Sequence, residues 1–267
     1  MTEPAQLPVP AGLPHDAREE LAAATAILEG VSLPVRLASL VGSSVEALKR
    51  RLPGPAQRLI EDAVRRALEA ALAAALRSEP GRNPTPLPQA WLHRGLLAAS
   101  GMAGGAFGLP GTLLELPVST SLLLRQIAAA AAEQGEDLAD PATAAECLKV
   151  FALGGREPTD DASESGYFAM RLALTEALKG TVGRSLGHLL PGFIGTIAAR
   201  FGGPVSLKLS AQAAPVVGAA AGAAVNLAFL EHFRTIAVAH FTVRRLERRH
   251  GAALVRASYE ALRPQPG

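Results

Sequence analysis

The stretch GAAAGAAVNLAFLEHFRTIAVAHFTVRRLERRHG, residues 218–251, decides the fold. No proline interrupts it, and its Ala and Leu content favours helix. Pro215 ahead of it and Gly251 behind it predict one helix ending near Arg249. Such a helix is on the order of 50 Å long at about 1.5 Å per residue. Its first half is apolar all round, the pattern of a helix covered on every face. Its second half carries charge.

The rest of the chain repeats this character. Apolar residues make up 49% of the 267 and aromatics only 4%, so Ala, Leu, Val and Gly dominate and no run reads as a strand. The expected fold is all-α, a multi-helix bundle with Gly/Ala-rich buried helices and one long C-terminal helix. Residues 1–15 are Pro-rich and read as a disordered tail with no signal-peptide character. Asp16 and Glu19 form a D-x-x-E cap that predicts a helix to Gly30. The segment 56–77 is a further amphipathic helix, so 16–77 reads as an N-terminal helical extension. SEPGRNPTPLP, 78–88, is too rich in Pro and Gly for helix and reads as a linker ahead of a helical domain at 89–263. Within that domain a long helix ends at Gly135. Asp140-Pro141 opens another that reaches Gly154-Gly155, and a third covers about 166–179.

The net charge of +2 gives no global pull toward nucleic acid, and no aromatic residues interleave with the arginines to stack bases. The mean hydropathy of +0.21 is oily for a protein in water and too low for a chain that is mostly transmembrane. Residues 95–114 and 209–230 are each free of charge over a bilayer-spanning length. Pro110, Gln212 and Pro215 interrupt them, and Gly and Ala contribute little insertion energy, so they read first as buried core helices. Shallow insertion and true spanning are the alternatives. The GxxxG-like spacings Gly101/Gly105 and Gly218/Gly222 allow close helix approach in either medium.

No nucleophile elbow, phosphate-binding loop or metal-ligand spacing occurs, so no catalytic residue, cofactor or metal is assigned. The single cysteine, Cys147, reads as a small buried hydrophobe. Asn226, Phe233, His240 and Glu247 recur every seven residues and share one stripe of the long helix. With His232 they read as a buried hydrogen-bonding network, and a ligand-facing set is the alternative. Glu115 and Arg125 lie in oily sequence and are expected to be neutralised by partners. Arg244, Arg245, Arg248 and Arg249 sit at a helix C-terminus, where cations complement the dipole, and they are candidates for contact with an anionic surface.

Two segments together carry a family resemblance. GMAGGAFGLPGTLLELPVSTSLLLRQIAAAAAEQGEDL, 101–138, has a glycine cluster followed by Glu115, Pro117, Thr120 and a leucine run to Arg125. The second, 218–251, has Asn226, His232-Phe233, His240-Phe241 and Arg244 to Glu247. In this order they resemble the bacterial EcsC family over roughly 89–251, leaving the first 88 residues outside the likeness. The chain departs from the family pattern at Glu115, usually Asp, and at His250, usually Tyr. The family is named for a gene neighbour of an ABC transporter. The resemblance therefore implies a bacterial protein working near the inner membrane face, and it supplies no reaction.

The expected function is a non-enzymatic accessory protein, cytoplasmic and peripheral at the inner face of the cytoplasmic membrane. Its expected partners are a membrane surface or a membrane protein such as a transporter, with a lipid-like apolar ligand. The alternatives are a hydrolase of apolar substrates using Asn226, His240 and Glu247 near Glu115, or an assembly partner joined through 56–77.

Overall fold

The computed structural model describes residues 12–30, 108–154, 166–178 and 218–264, with single positions at 33, 62, 66, 95, 98 and 99. Side chains at 108–117, 152, 177–178 and 218–222 are outside the described set. Six helices run through these residues: α1 (His15–Leu28), α2 (Gly108–Glu133), α3 (Pro141–Gly154), α4 (Tyr167–Leu178), α5 (Gly218–His250) and α6 (Ala252–Leu262). There is no strand among the described residues, and the architecture is an all-α bundle.

The long helix α5 is the axis. Its 33 residues pack against α1, α2, α3 and α6, while α4 lies against α3. Phe229, Leu230, Phe233, Ala237, Phe241 and Val243 are all buried along it, so neighbours cover more than one face. Phe233 is the thickest point. Its ring sits 5.3 Å from that of Phe151 on α3, and a Cβ at Gly154 would come within 2.4 Å of it. The absent side chain at Gly154 is therefore what admits the ring.

Local signals set the ends. Gly135 takes φ +77, a conformation that favours glycine. Its N–H bonds Ala132 O at 2.9 Å and the Glu136 N–H bonds Ala131 O at 3.0 Å, the paired closure of a Schellman cap. Asp140 Oδ1 accepts from Ala142 N–H at 2.8 Å and Pro141 opens α3, as expected. Gly251, at φ +91, turns α5 into α6. The cap of α1 differs from expectation. The helix starts at His15 after an extended Pro14, with no side-chain cap, and Asp16 lies in its first turn. Pro14 O accepts from Arg18 N–H at 2.9 Å, so the helix opens two residues ahead of the D-x-x-E box, and Asp16 acts on the helix dipole instead.

Helix α1 also belongs to the core. Ala17, Leu21, Ala24 and Leu28, spaced four, three and four apart, are buried in the same apolar cluster as α5 and α6. Glu29 at its end accepts from Tyr259 Oη at 2.8 Å and from Tyr167 N–H at 3.1 Å, and pairs with Arg263 at 3.6 Å. So α1, assigned by sequence to an extension, is tied to α4 and α6. The linker at 78–88 and nearly all of 56–77 lie outside the described residues. Parts of 95–114 and of 209–230 do too, and among the described residues no helix is long and apolar enough to cross a membrane.

If α1 is part of the core, Leu21→Ala should cost about 2–5 kcal/mol, the range for a leucine cavity. Urea unfolding followed by circular dichroism measures it. An unchanged midpoint would mean that α1 is an accessory.

Candidate functional site

The polar stripe of α5 points inward. Asn226, His232 and His240 are buried, and Glu247 is largely so. His232 Nε2 donates to Gly154 O at 2.9 Å, tying α5 to the end of α3. His240 is 0% exposed and both its ring nitrogens are engaged: Nε2 lies 3.1 Å from Glu146 Oε2 and Nδ1 lies 2.9 Å from Tyr167 Oη. Glu247 holds Arg171 through two hydrogen bonds, at 3.0 and 2.8 Å.

Glu146 is the centre of charge. Burial alone would raise its carboxyl, but His240, Lys149 and Arg244 outweigh burial and hold it well below the usual carboxylate range. Lys149 Nζ lies 2.9 Å away and Arg244 Nη1 3.2 Å away. An ionised Glu146 accepts, so Nε2 of His240 carries the proton and Nδ1 accepts from the Tyr167 hydroxyl. Burial lowers the pKa of His240 and keeps the ring neutral despite the carboxylate beside it. Burial raises the Tyr167 phenol, which stays protonated. The chain Tyr167–His240–Glu146 has the parts of an acid–base relay, but Tyr167 is 1% exposed and each link is already taken within the core.

The arginine cluster is also engaged. Arg244 grips Glu136 through Nε at 2.8 Å and Nη2 at 3.1 Å. Arg248 pairs with Glu136 and donates to Gln134 O at 2.9 Å. Arg245 donates to Gln134 Oε1 at 2.8 Å and pairs with Glu20 on α1. Burial raises the Glu136 carboxyl, but Arg244 and Arg248 prevail and its pKa is lowered. Three of the four candidate surface arginines thus clamp the Gly135 turn and α1 to α5, and Arg249 is left exposed.

The other candidates fare unevenly. Arg125 is exposed on α2, correcting the expectation of oily surroundings: it lies two residues from both Leu123 and Ile127, on the side away from the core they enter. Glu115 lies in α2, with its side chain outside the described set. The proposed trio does not converge, because Asn226 and Glu247 are separated by about 30 Å along one helix at about 1.5 Å per residue. Sequence reasoning missed Glu146, Lys149, Tyr167, Arg171 and Glu136. The first two carried a signal: charges three apart inside the apolar run ATAAECLKVFAL need partners once the run is buried. Cys147 between them is buried, and burial with the nearby Glu136 and Glu146 pushes its thiol up to about 12, which makes it inert. Among the described residues, no three His, Cys, Asp or Glu side chains converge as a metal site.

Outside the network lies an open groove between α4 and α6, with a volume of about 620 Å³. Phe168 and Leu172 form one wall, Ala253 and Ala257 the other. Leu172 is 54% exposed there. The charged lining residues are Arg171, Glu247, Arg256 and Glu260. Thr175, also on the α4 wall, accepts from Lys149 Nζ at 2.9 Å and donates to Arg171 O at 2.7 Å, so groove and network share a boundary.

A helical bundle with a closed ionic core and an apolar groove outside it is the class of protein that fold and site define. The profile of the EcsC protein family matches residues 16–246, and the chain belongs to that family. The match includes α1, which the two sequence motifs had left outside. No curated protein and no solved structure matches the chain.

Replacing Glu146 by Gln leaves Lys149 and Arg244 without their shared charge and should cost about 3–5 kcal/mol. Arg249→Gln, at an exposed position, should stay within about 0.5 kcal/mol. Acid should weaken the fold in two stages. The unfolded chain protonates His240 at its ordinary 6.5 and Glu146 at 4.5, while the folded protein takes both protons at lower pH. The unfolded state thus binds more protons, so stability falls as pH drops below about 6.5 and falls further below about 4.5. Denaturant melts across pH 4–7.5 measure this, and His240→Gln should remove the first stage only. A wild-type profile flat between pH 7 and 5.5 would contradict a neutral His240.

Proposed function

We propose that this protein is a non-enzymatic accessory factor. It docks at a membrane surface or on a membrane protein and holds a lipid-like apolar ligand in the groove between α4 and α6. One observation carries the reading: an open trough with apolar walls, and an exposed leucine in it, stands outside a polar core whose members are already paired. A volume near 620 Å³ lies within the roughly 300–1,000 Å³ typical of small-ligand pockets. The hydrolase reading draws no support from the geometry, since Asn226, His240 and Glu247 are spread along α5. A place at the cytoplasmic face of the membrane is part of the proposal, in keeping with an anionic surface reached by Arg249.

The role of the arginines narrows. Arg244, Arg245 and Arg248 hold the fold together, so surface attraction falls chiefly to Arg249, worth about 1 kcal/mol near an anionic leaflet. Liposome flotation tests this with the full chain. Binding should favour anionic vesicles, be released by high salt, and drop about fivefold for Arg249→Gln. Native mass spectrometry after lipid extraction should find an apolar molecule copurifying, lost in Leu172→Glu with helical content intact. A protein that neither floats nor carries any apolar molecule would overturn the reading.

A further inference from the structure

We infer that the α4–α6 groove takes a single acyl chain carrying a phosphoethanolamine head, a zwitterionic single-chain amphiphile. The inference rests on the groove being a ligand site, as proposed above, and goes on to name the ligand class. Of the four charged lining residues, Arg171 and Glu247 satisfy one another through two hydrogen bonds and have little charge to offer. Arg256 and Glu260 remain. Both are exposed on α6, four residues apart, with Cβ atoms about 5–6 Å from one another on one helix face. Neither forms an ion pair among the described residues.

Arg256 is aimed by its neighbour. Its guanidinium stands 5.7 Å from the centre of the Phe168 ring, an apolar wall of the same groove. A guanidinium beside a ring face, with no ion pair among the described residues, has N–H donors to offer a phosphate, which it can grip through two oxygens. A purely anionic head placed there would face the Glu260 carboxylate one turn away. A purely cationic head would face Arg256. A head bearing both charges, joined by an ethylene bridge, pairs with each. A primary ammonium suits Glu260 because it donates hydrogen bonds, which a quaternary one cannot do. Below the charges, Leu172 and the alanine-lined wall form a shallow trough in which an acyl chain removes apolar surface from water.

The test is displacement of anilinonaphthalene sulfonate from the full-length protein by lysolipids of one acyl chain, below their micelle concentrations. The heads are phosphoethanolamine, phosphocholine and phosphoglycerol, and chain-free glycerophosphoethanolamine is the control. The phosphoethanolamine lipid should bind about fivefold more tightly than the phosphoglycerol lipid, the order of an exposed ion pair. Glu260→Gln should erase that preference by weakening the first and sparing the second, and Arg256→Gln should weaken both. Leu172→Glu should weaken every lysolipid. Equal wild-type affinities for the heads, or an unchanged preference in E260Q, would overturn the zwitterion assignment. The groove would survive either result so long as L172E still lost binding. Equal binding of the chain-free control would overturn the acyl part. No binding of any lysolipid, or full binding by L172E, would remove the groove itself as the site.

Discussion

A carboxylate placed in an apolar core has to be met by donors on several sides, and the rest of this structure is arranged around that demand at Glu146. Its oxygens are met by His240 and Arg244 from α5 and by Lys149 from the next turn of α3. Each partner brings a further obligation. His240 needs a donor for its second nitrogen, which is the Tyr167 hydroxyl at the start of α4. Lys149 reaches Thr175 on α4, and Arg244 reaches Glu136 beyond the end of α2. Charge matching at one buried atom group therefore positions four helices.

This explains why the fold was more legible than the site. Helix ends are decided within a few residues, so Gly135, Asp140-Pro141 and Gly251 could be read directly. The seven-residue stripe on α5 was legible for the same reason, since period alone places Asn226, Phe233, His240 and Glu247 on one face. What the stripe faces depends on contacts between positions as far apart as His240 and Glu146, and one sequence carries no local mark of those. Arg125 shows the opposite error: an apolar neighbourhood in sequence was taken for one in space, although a two-residue offset on a helix turns a side chain to the far side.

The arginine cluster shows how one composition supports two physical roles. Four arginines in the last turns of a helix suit a dipole, an anionic surface or a set of acids equally well. Here the Schellman turn at Gly135 presents Gln134 and Glu136 to the end of α5, and α1 presents Glu20. The turn is thus bound where its own backbone cap places it, and the acids that neutralise the arginines come from segments far away in sequence. Legibility fails for a definite reason, because Glu20 and Glu136 are ordinary surface-type residues in composition.

The network and the groove meet at α4, and that contact orders their roles. Helix α4 lies against α3, and its polar residues reach α3 and α5 through Tyr167, Arg171 and Thr175. Two of these, Arg171 and Thr175, also line the groove. These bonds fix α4 against α3 and α5, while Tyr259 of α6 packs on the Tyr167 and Phe168 rings and shares Glu29 with the Tyr167 N–H. A set of His, Glu, Tyr and Lys that resembles catalytic machinery in type is here bonded within itself and links α3, α4 and α5. Its members satisfy one another inside, and among the described groove residues Leu172, Arg256 and Glu260 stand exposed while Phe168 forms the buried floor between α4 and α6.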